Sequence, residues 1–116
     1  YNYAAELNVA GRYEESLRLC KASSSRMSDY YTRLLQADNC KQLRRYKEAE
    51  RHLQQASYMC PNRFTPLYEL YTIYEAQGDT ASMHRMAEAI LRKPIKVDSP
   101  EVRQIIAKIK RFKQIN

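Results

Sequence analysis

Apolar residues recur along this chain at three- and four-residue intervals, the spacing of one face of an α-helix. Leu67, Leu70, Tyr71 and Tyr74 stand at i, i+3, i+4 and i+7, and Met83, Met86, Ala87 and Ile90 follow in the same manner. Thr65 is placed to cap the first of these helices with Pro66 as its first residue, Gly78 to stop it with a positive φ, and Asp79 to cap the next. Leu34, Ala37 and Cys40, then Tyr46, Ala49, Leu53 and Ala56 ahead of Pro61, predict a second pair of helices. Tyr3, Leu7 and Ala10, then Tyr13, Leu17 and Cys20, predict another at the start, without an upstream turn, so the chain is expected to begin part-way into a unit. After Ile90 the pattern breaks. Residues 93–98 read as an extended connector, because Pro94 biases its neighbour away from helix. Ser99-Pro100 then opens a seventh helix with Val102, Ile105, Ile106, Ile109 and Phe112 on one stripe.

The paired helices repeat. Gly11-Arg12-Tyr13-Glu14-Glu15-Ser16 returns as Arg44-Arg45-Tyr46-Lys47-Glu48-Ala49, 33 positions on, and as Gly78-Asp79-Thr80-Ala81-Ser82-Met83, a further 34. In that register Leu7, Cys40 and Tyr74 align, as do Ala4, Ala37 and Tyr71; Cys20, Leu53 and Ala87; and Ser23, Ala56 and Ile90. Most of these triples are apolar or small, so the same helical faces are hidden in each unit.

Composition narrows the class. The 116 residues are one domain's worth of chain, able to bury roughly two-thirds of the extended surface. Ten tyrosines and 44% hydrophobic residues argue against disorder, and only two glycines and four prolines argue against a many-turned β fold. No apolar stretch approaches the roughly 18–20 residues that cross a bilayer. Cys20, Cys40 and Cys60 are odd in number and far apart, which fits neither a disulfide framework nor paired zinc ligands; partly buried free thiols are expected. The net charge of +7 is local: residues 1–91 carry 12 basic and 11 acidic side chains, whereas residues 92–116 carry eight and two. A whole-chain argument for nucleic-acid binding would misread that asymmetry.

A 33–34-residue helix–turn–helix unit with Gly-x-Tyr at the inner turn resembles the tetratricopeptide repeat (TPR), and Ala49-x-x-x-Leu53 followed by Pro61 is similar to its second helix. Departures are Ser16, Cys20 and Ser28 at the small, aromatic and proline places of the first unit, Arg44 for glycine in the second, and Thr80 for tyrosine in the third. The resemblance implies an all-α, right-handed superhelix of about three repeats (1–29, 30–63 and 64–92), the connector at 93–98 and a capping helix over 99–113. It also implies a concave groove lined by the first helices, for a protein or peptide partner. Tyr1, Ala5 and Asn8, then Tyr31, Leu34, Asp38 and Lys41, then Tyr68, Thr72 and Glu75 are its expected lining. Tyrosine suits such a surface because it brings a large ring with a polar tip at low ordering cost; equally, some rings are expected to pack between helices. The mixed charges of Asp38, Lys41 and Glu75 make no cationic clamp for a terminal carboxylate. A narrower resemblance rests on the run Met59–Tyr68 with Met86-Ala87 and Lys96–Pro100, which looks like the repeat-bearing tail of bacterial O-antigen ligase or polymerase-type membrane proteins. It implies a tail on a membrane-bound polysaccharide ligase or polymerase; the odd free cysteines and the excess of lysine and arginine lean to the cytoplasmic side.

Catalytic chemistry is not expected from this chain. His52 and His84 lack a ligand partner at i+4, and Ser23-Ser24-Ser25 has no G-x-S-x-G context. Glu14-Glu15 complements a helix N-terminus, and the two glycines are too far apart for a phosphate loop. No metal and no cofactor are expected. Arg103, Lys108, Lys110, Arg111 and Lys113 form a basic surface on the last helix. Two readings stand for it: the solvated outer face of a cap, or attraction to an anionic membrane or polyanion, where each Lys or Arg adds roughly 1 kcal/mol at a charged leaflet. Nucleic acid is not expected, because only Phe112 offers a stacking ring nearby. The leading expectation is a non-catalytic protein–protein interaction module; the alternative is a polyanion- or nucleic-acid-binding adaptor working through its basic end.

Overall fold

The computed structural model describes residues 2–22 and 29–115. Among them lie seven helices and no strand: α1 (Asn2–Val9), α2 (Tyr13–Ala22), α3 (Asp29–Gln42), α4 (Tyr46–Met59), α5 (Thr65–Gln77), α6 (Thr80–Arg92) and α7 (Pro100–Ile115). Tyr1, the Ser23 of the fourth aligned triple, Ser24, Ser25 and Ser28 lie outside the described residues. The chain divides into two compact units, Tyr1–Cys60 and Pro61–Asn116.

The inner turns of the three helix pairs share one hydrogen-bond pattern. In each, a residue with positive φ donates its N–H three residues back, and the next residue donates five back. Gly11 reaches Asn8 and Arg12 reaches Leu7; Arg44 reaches Lys41 and Arg45 reaches Cys40; Gly78 reaches Glu75 and Asp79 reaches Tyr74. This is the closure that satisfies a helix's last carbonyls through a left-handed residue. The following residue's carbonyl then accepts the first bond of the next helix, from Ser16, Ala49 and Met83 respectively. The turns therefore recur in hydrogen bonding at the spacing seen in the letters. Arg44 adopts φ +62° in the place that glycine fills at +81° and +70°. A left-handed non-glycine residue costs about 1–2 kcal/mol, partly offset in glycine by its freer unfolded chain. We expect Arg44→Gly to raise stability by about 0.5–1 kcal/mol, read as a higher urea midpoint. A lowered midpoint would show that the Arg44 side chain contributes more than its backbone costs.

Unit 1 packs α2 on α1, α3 on α2 and α4 on α3, with α3 also touching α1. Its core is built of small residues around three leucines and a tyrosine: Ala4, Ala37, Ala49, Ala56, Cys20 and Cys40 with Leu7, Leu17, Leu53 and Tyr30, all buried. Small side chains let the helix backbones approach closely. Unit 2 packs α5 on α6 and α6 on α7. Phe64, Tyr71, Ala87, Ile90, Ile105 and Ile109 form its buried cluster, with Leu67, Tyr68, Met83, Met86, Val102, Ile106 and Phe112 packed against it. The whole expected stripe of α7 is thus spent on this cluster.

Several local expectations are corrected. Thr65 does not cap α5: the cap position is Phe64, without a side-chain bond, and the Thr65 hydroxyl donates instead to Glu101 Oε1 at 2.6 Å. On α1, Ala4 and Leu7 are buried, but Tyr3 is 62% exposed and Ala10 lies beyond the helix, also exposed. The side of α1 and α2 around Tyr3 and Leu19 forms a shallow open depression, and no described helix of unit 1 covers it. The other caps follow expectation. Asp79 accepts from Ser82 N at 3.2 Å and Ser99 Oγ from Val102 N at 3.2 Å.

Candidate functional site

On the first helices of unit 1, Ala5 and Asn8 of α1 and Leu34, Asp38 and Lys41 of α3 are half-buried, and Tyr31 is 48% exposed. The Tyr31 ring meets Tyr30 edge-on at 5.1 Å. Asn8 Nδ2 donates to both Asp38 Oδ2 and Asn39 Oδ1 at 2.8 Å. Behind them, Asn39 Nδ2 donates to Ser16 Oγ at 2.8 Å, and Ser16 Oγ donates to the Ala4 carbonyl at 2.7 Å. A chain of polar groups thus joins α1, α2 and α3, with Ser16 and Asn39 fully buried. Two expected contact residues, Asn8 and Asp38, are each other's partners, and the network behind them fixes their orientation. Reading for apolar periodicity passed over Asn39; the signal for Ser16 was its register match with Ala49 at the small-residue place of the repeat.

In unit 2 the corresponding α5 residues are more engaged. Tyr68 is half-buried, stacks on Tyr71 at 5.9 Å and lies under Lys108 Nζ at 5.4 Å. Thr72 Oγ1 donates to the Glu69 carbonyl at 2.7 Å, and Glu75 is exposed. Burial first, then the Glu75 carboxylate, pushes the Tyr71 phenol above its ordinary value.

The basic residues of α7 are engaged to different degrees. Arg103 binds Asp98 at 2.7 Å, and Lys113 reaches Glu88 of α6 at 2.7 Å. Lys108 covers Tyr68, whereas Lys110 and Arg111 stand exposed. The hydrogen bond from Lys113, then its charge, holds the Glu88 carboxyl below the usual range, with Arg92 at 3.5 Å adding to it. Arg103 does the same to Asp98, and the Ser82 hydroxyl and N–H do so to Asp79. A carboxyl whose folded pKa is depressed leaves the unfolded chain binding more protons, so its contribution is present above the unfolded value, 4.5 for Glu88, and is lost as pH falls through the folded one. Glu88→Gln is expected to flatten the fall in urea midpoint between neutral pH and pH 3; an unchanged acid slope would remove Glu88 from the docking of α7.

Two segments far apart in sequence meet in unit 2. Asn62, Arg63 and Phe64 of the loop, Thr65 at the start of α5, Val97 of the connector, the cap residue Ser99, and Glu101, Val102 and Ile105 of α7 line a cleft of about 330 Å³. Lys93 ties the two segments by donating to the Pro61 carbonyl, with its ammonium 5.8 Å from the Phe64 ring. Phe64, only 3% exposed, anchors the floor, a role hidden in a stretch that reads as loop.

The histidines are less solvated than their charged neighbours imply. His84 lies 4.9 Å from the Phe112 ring, and His52 Nδ1 is 3.4 Å from Arg33 Nη1. Cys20 and Cys40 are buried, Cys60 is half-buried, and none of the three is in a disulfide; burial pushes the Cys20 thiol up, away from the reactive thiolate. Among the described residues no three His, Cys, Asp or Glu side chains gather as a metal site, and no helix is long and apolar enough to cross a membrane. Comparison with models of known families, with curated proteins and with solved structures returns no match for this chain.

Proposed function

We propose that the chain is a non-catalytic protein–protein interaction module of tetratricopeptide type, receiving an extended segment of a partner on the faces of its first helices. The observation that carries this reading is the thrice-repeated turn: left-handed residues at 11, 44 and 78 with the same pair of hydrogen bonds around each. Hairpins repeated at that interval bury their second-helix stripes and leave first-helix faces for a guest. In unit 1 that face combines the exposed Tyr31 ring, the half-buried Leu34, the Asn8–Asp38 pair and Lys41, which together offer apolar area, an acceptor and donors to a peptide backbone. On α5, Tyr68, Thr72 and Glu75 hold the same register positions. Among the described residues the groups with displaced pKa values belong to a helix cap, surface ion pairs, a buried ring and a buried thiol, which is stabilising chemistry rather than acid–base chemistry in a pocket. The loop-and-connector resemblance would place the module on a membrane-bound polysaccharide ligase or polymerase; the interaction reading stands without that parent.

A phage-displayed library of random twelve-residue peptides, panned on the chain, tests the proposal. Enriched peptides are expected to bind at least about tenfold more weakly to the Tyr31→Ala/Lys41→Glu variant, with about twofold change or less between 50 and 300 mM salt. Peptides indifferent to that variant would overturn it. So would a chain that binds only heparin, with affinity collapsing over the same salt range and abolished by replacing Lys108, Lys110, Arg111 and Lys113; that outcome would establish the polyanion adaptor.

A further inference from the structure

We infer that the segment joining α6 to α7 contacts an anionic lipid surface, with Ile95 and Val97 entering the interface and Arg92, Lys93 and Lys96 at the headgroups. The inference is independent of the peptide reading of the first helices. Leu91-Arg92-Lys93-Pro94-Ile95-Lys96-Val97 interleaves three aliphatic and three basic side chains and contains no acid. All three aliphatic ones are exposed, Ile95 by 51% and Val97 by 77%. Single exposed apolar residues are ordinary on a protein surface, but three within seven positions mark a contact. Unit 2 does not take them up. Its buried cluster and the side chains packed against it come from Phe64, α5, α6 up to Ile90, and α7, and Val97 only touches the rim of the cleft. Both ends of the segment are pinned: Lys93 leaves α6 in an extended conformation and donates to the Pro61 carbonyl, and Asp98 is bound by Arg103 at 2.7 Å. Holding the segment before contact lowers the ordering cost of binding.

Charge and side-chain type select the surface. The bond from Lys93 to a carbonyl leaves its charge in place, so the segment carries three positive charges. The acids around it keep their charges too, but each has a cation from outside the segment to set against it. Lys113 binds Glu88, which also lies 3.5 Å from Arg92; Arg103 binds Asp98; and Arg63 lines the cleft with Glu101. The excess therefore belongs to Arg92, Lys93 and Lys96. At an anionic leaflet such cations are attracted to the lipid phosphates while their stems lie along the apolar boundary, and aliphatic tips between them leave water. A polyanion would answer the cations alone. It would leave Ile95 and Val97 in water, and residues 91–97 contain no aromatic ring on which a base could stack.

The test is co-sedimentation of the full chain with vesicles of phosphatidylcholine, alone or with about 30% phosphatidylserine, at about 150 mM salt. The mixed vesicles are expected to bind at least about tenfold more tightly. Ile95→Ser/Val97→Ser, which leaves every charge in place, should weaken that binding at least about fivefold. Arg92→Glu/Lys96→Glu should weaken it at least about tenfold. All four positions are exposed, and circular dichroism checks that the variants fold. The chain has no tryptophan, so Val97→Trp supplies a single reporter. Its emission should move to shorter wavelength on the mixed vesicles and be quenched by brominated acyl chains. Equal binding to the two vesicle types, undiminished binding by Ile95→Ser/Val97→Ser, or an emission that vesicles do not move overturns the inference. Binding to heparin without binding to vesicles overturns it in favour of a polyanion. Vesicle binding that survives Arg92→Glu/Lys96→Glu but is lost in Lys110→Glu/Arg111→Glu moves the contact to α7 and overturns it as well. None of these outcomes bears on the interaction module, which the peptide selection on the Tyr31 face decides separately.

Discussion

Replacing Ile109 by alanine is expected to cost about 3–4 kcal/mol of folding stability, among the largest single-residue effects at the described positions. Its side chain is fully buried among Phe64, Tyr71, Ala87, Ile90 and Ile105, so truncation removes transfer energy and leaves a cavity that helices on either side hold open. Domains of this size are stable by about 5–15 kcal/mol, so the loss is a large part of the whole. Ile106, three positions earlier and only half-buried on the edge of the same cluster, should cost about 1 kcal/mol on the same change. Urea unfolding followed by circular dichroism measures both. If Ile109→Ala costs under about 1 kcal/mol, α7 does not seal unit 2 and the cluster is not its core. The cleft would fail with it, because Val102 and Ile105 reach the cleft only when α7 is docked.

The stripe of α7 was legible because five apolar residues at helical spacing have no other explanation, and all five pack inward. The turns were legible for a different reason. Gly78 advertises a left-handed residue and the register sets Gly11 at the same turn, whereas Arg44, a departure from the repeat's glycine, adopts the same conformation although its letter says nothing of φ. What stayed hidden is chemistry that periodicity does not count. Ser16, Asn39, Gln36 and Ser82 are polar letters on buried positions, identifiable only when their partners on other helices are known. Phe64 reads as part of a loop because its packing partners, Ile105 and Ile109, lie some forty positions on. At the basic end the letters give the charges but not their partners. Counting lysines and arginines in residues 92–116 finds a large excess, yet Arg103 and Lys113 are held by Asp98 and Glu88, and Lys108 is laid over Tyr68. Helical spacing alone cannot reveal pairings that cross from α7 to α6 or α5.

The buried polar chain of unit 1 carries the second large effect. Asn39 is fully buried, accepts from Asn8 and donates to Ser16, so its amide is the link between α1 and α2. Asn39→Ala should cost about 2–4 kcal/mol, from the lost bonds, the cavity and a Ser16 hydroxyl deprived of its donor. Asn8→Ala should cost less, about 1 kcal/mol, because Asn8 is half-buried and water can replace it at Asp38. A double-mutant cycle separates the network from simple volume loss. Ser16→Ala and Asn39→Ala are expected to be less destabilising together than the sum of the two, by about 1–2 kcal/mol, since each single change strands the other's polar group. Additivity within about 0.5 kcal/mol would mean that the two residues act independently. The consequence reaches the proposed site. Asn39 also holds the Asn8 amide toward Asp38, so Asn39→Ala at temperatures where the chain remains folded should weaken peptides selected on the Tyr31 face, even though Asn39 itself never meets solvent. Unchanged peptide affinity in that folded variant would show that the Asn8–Asp38 pair is not part of the contact surface and would confine the guest to Tyr31, Leu34 and Lys41.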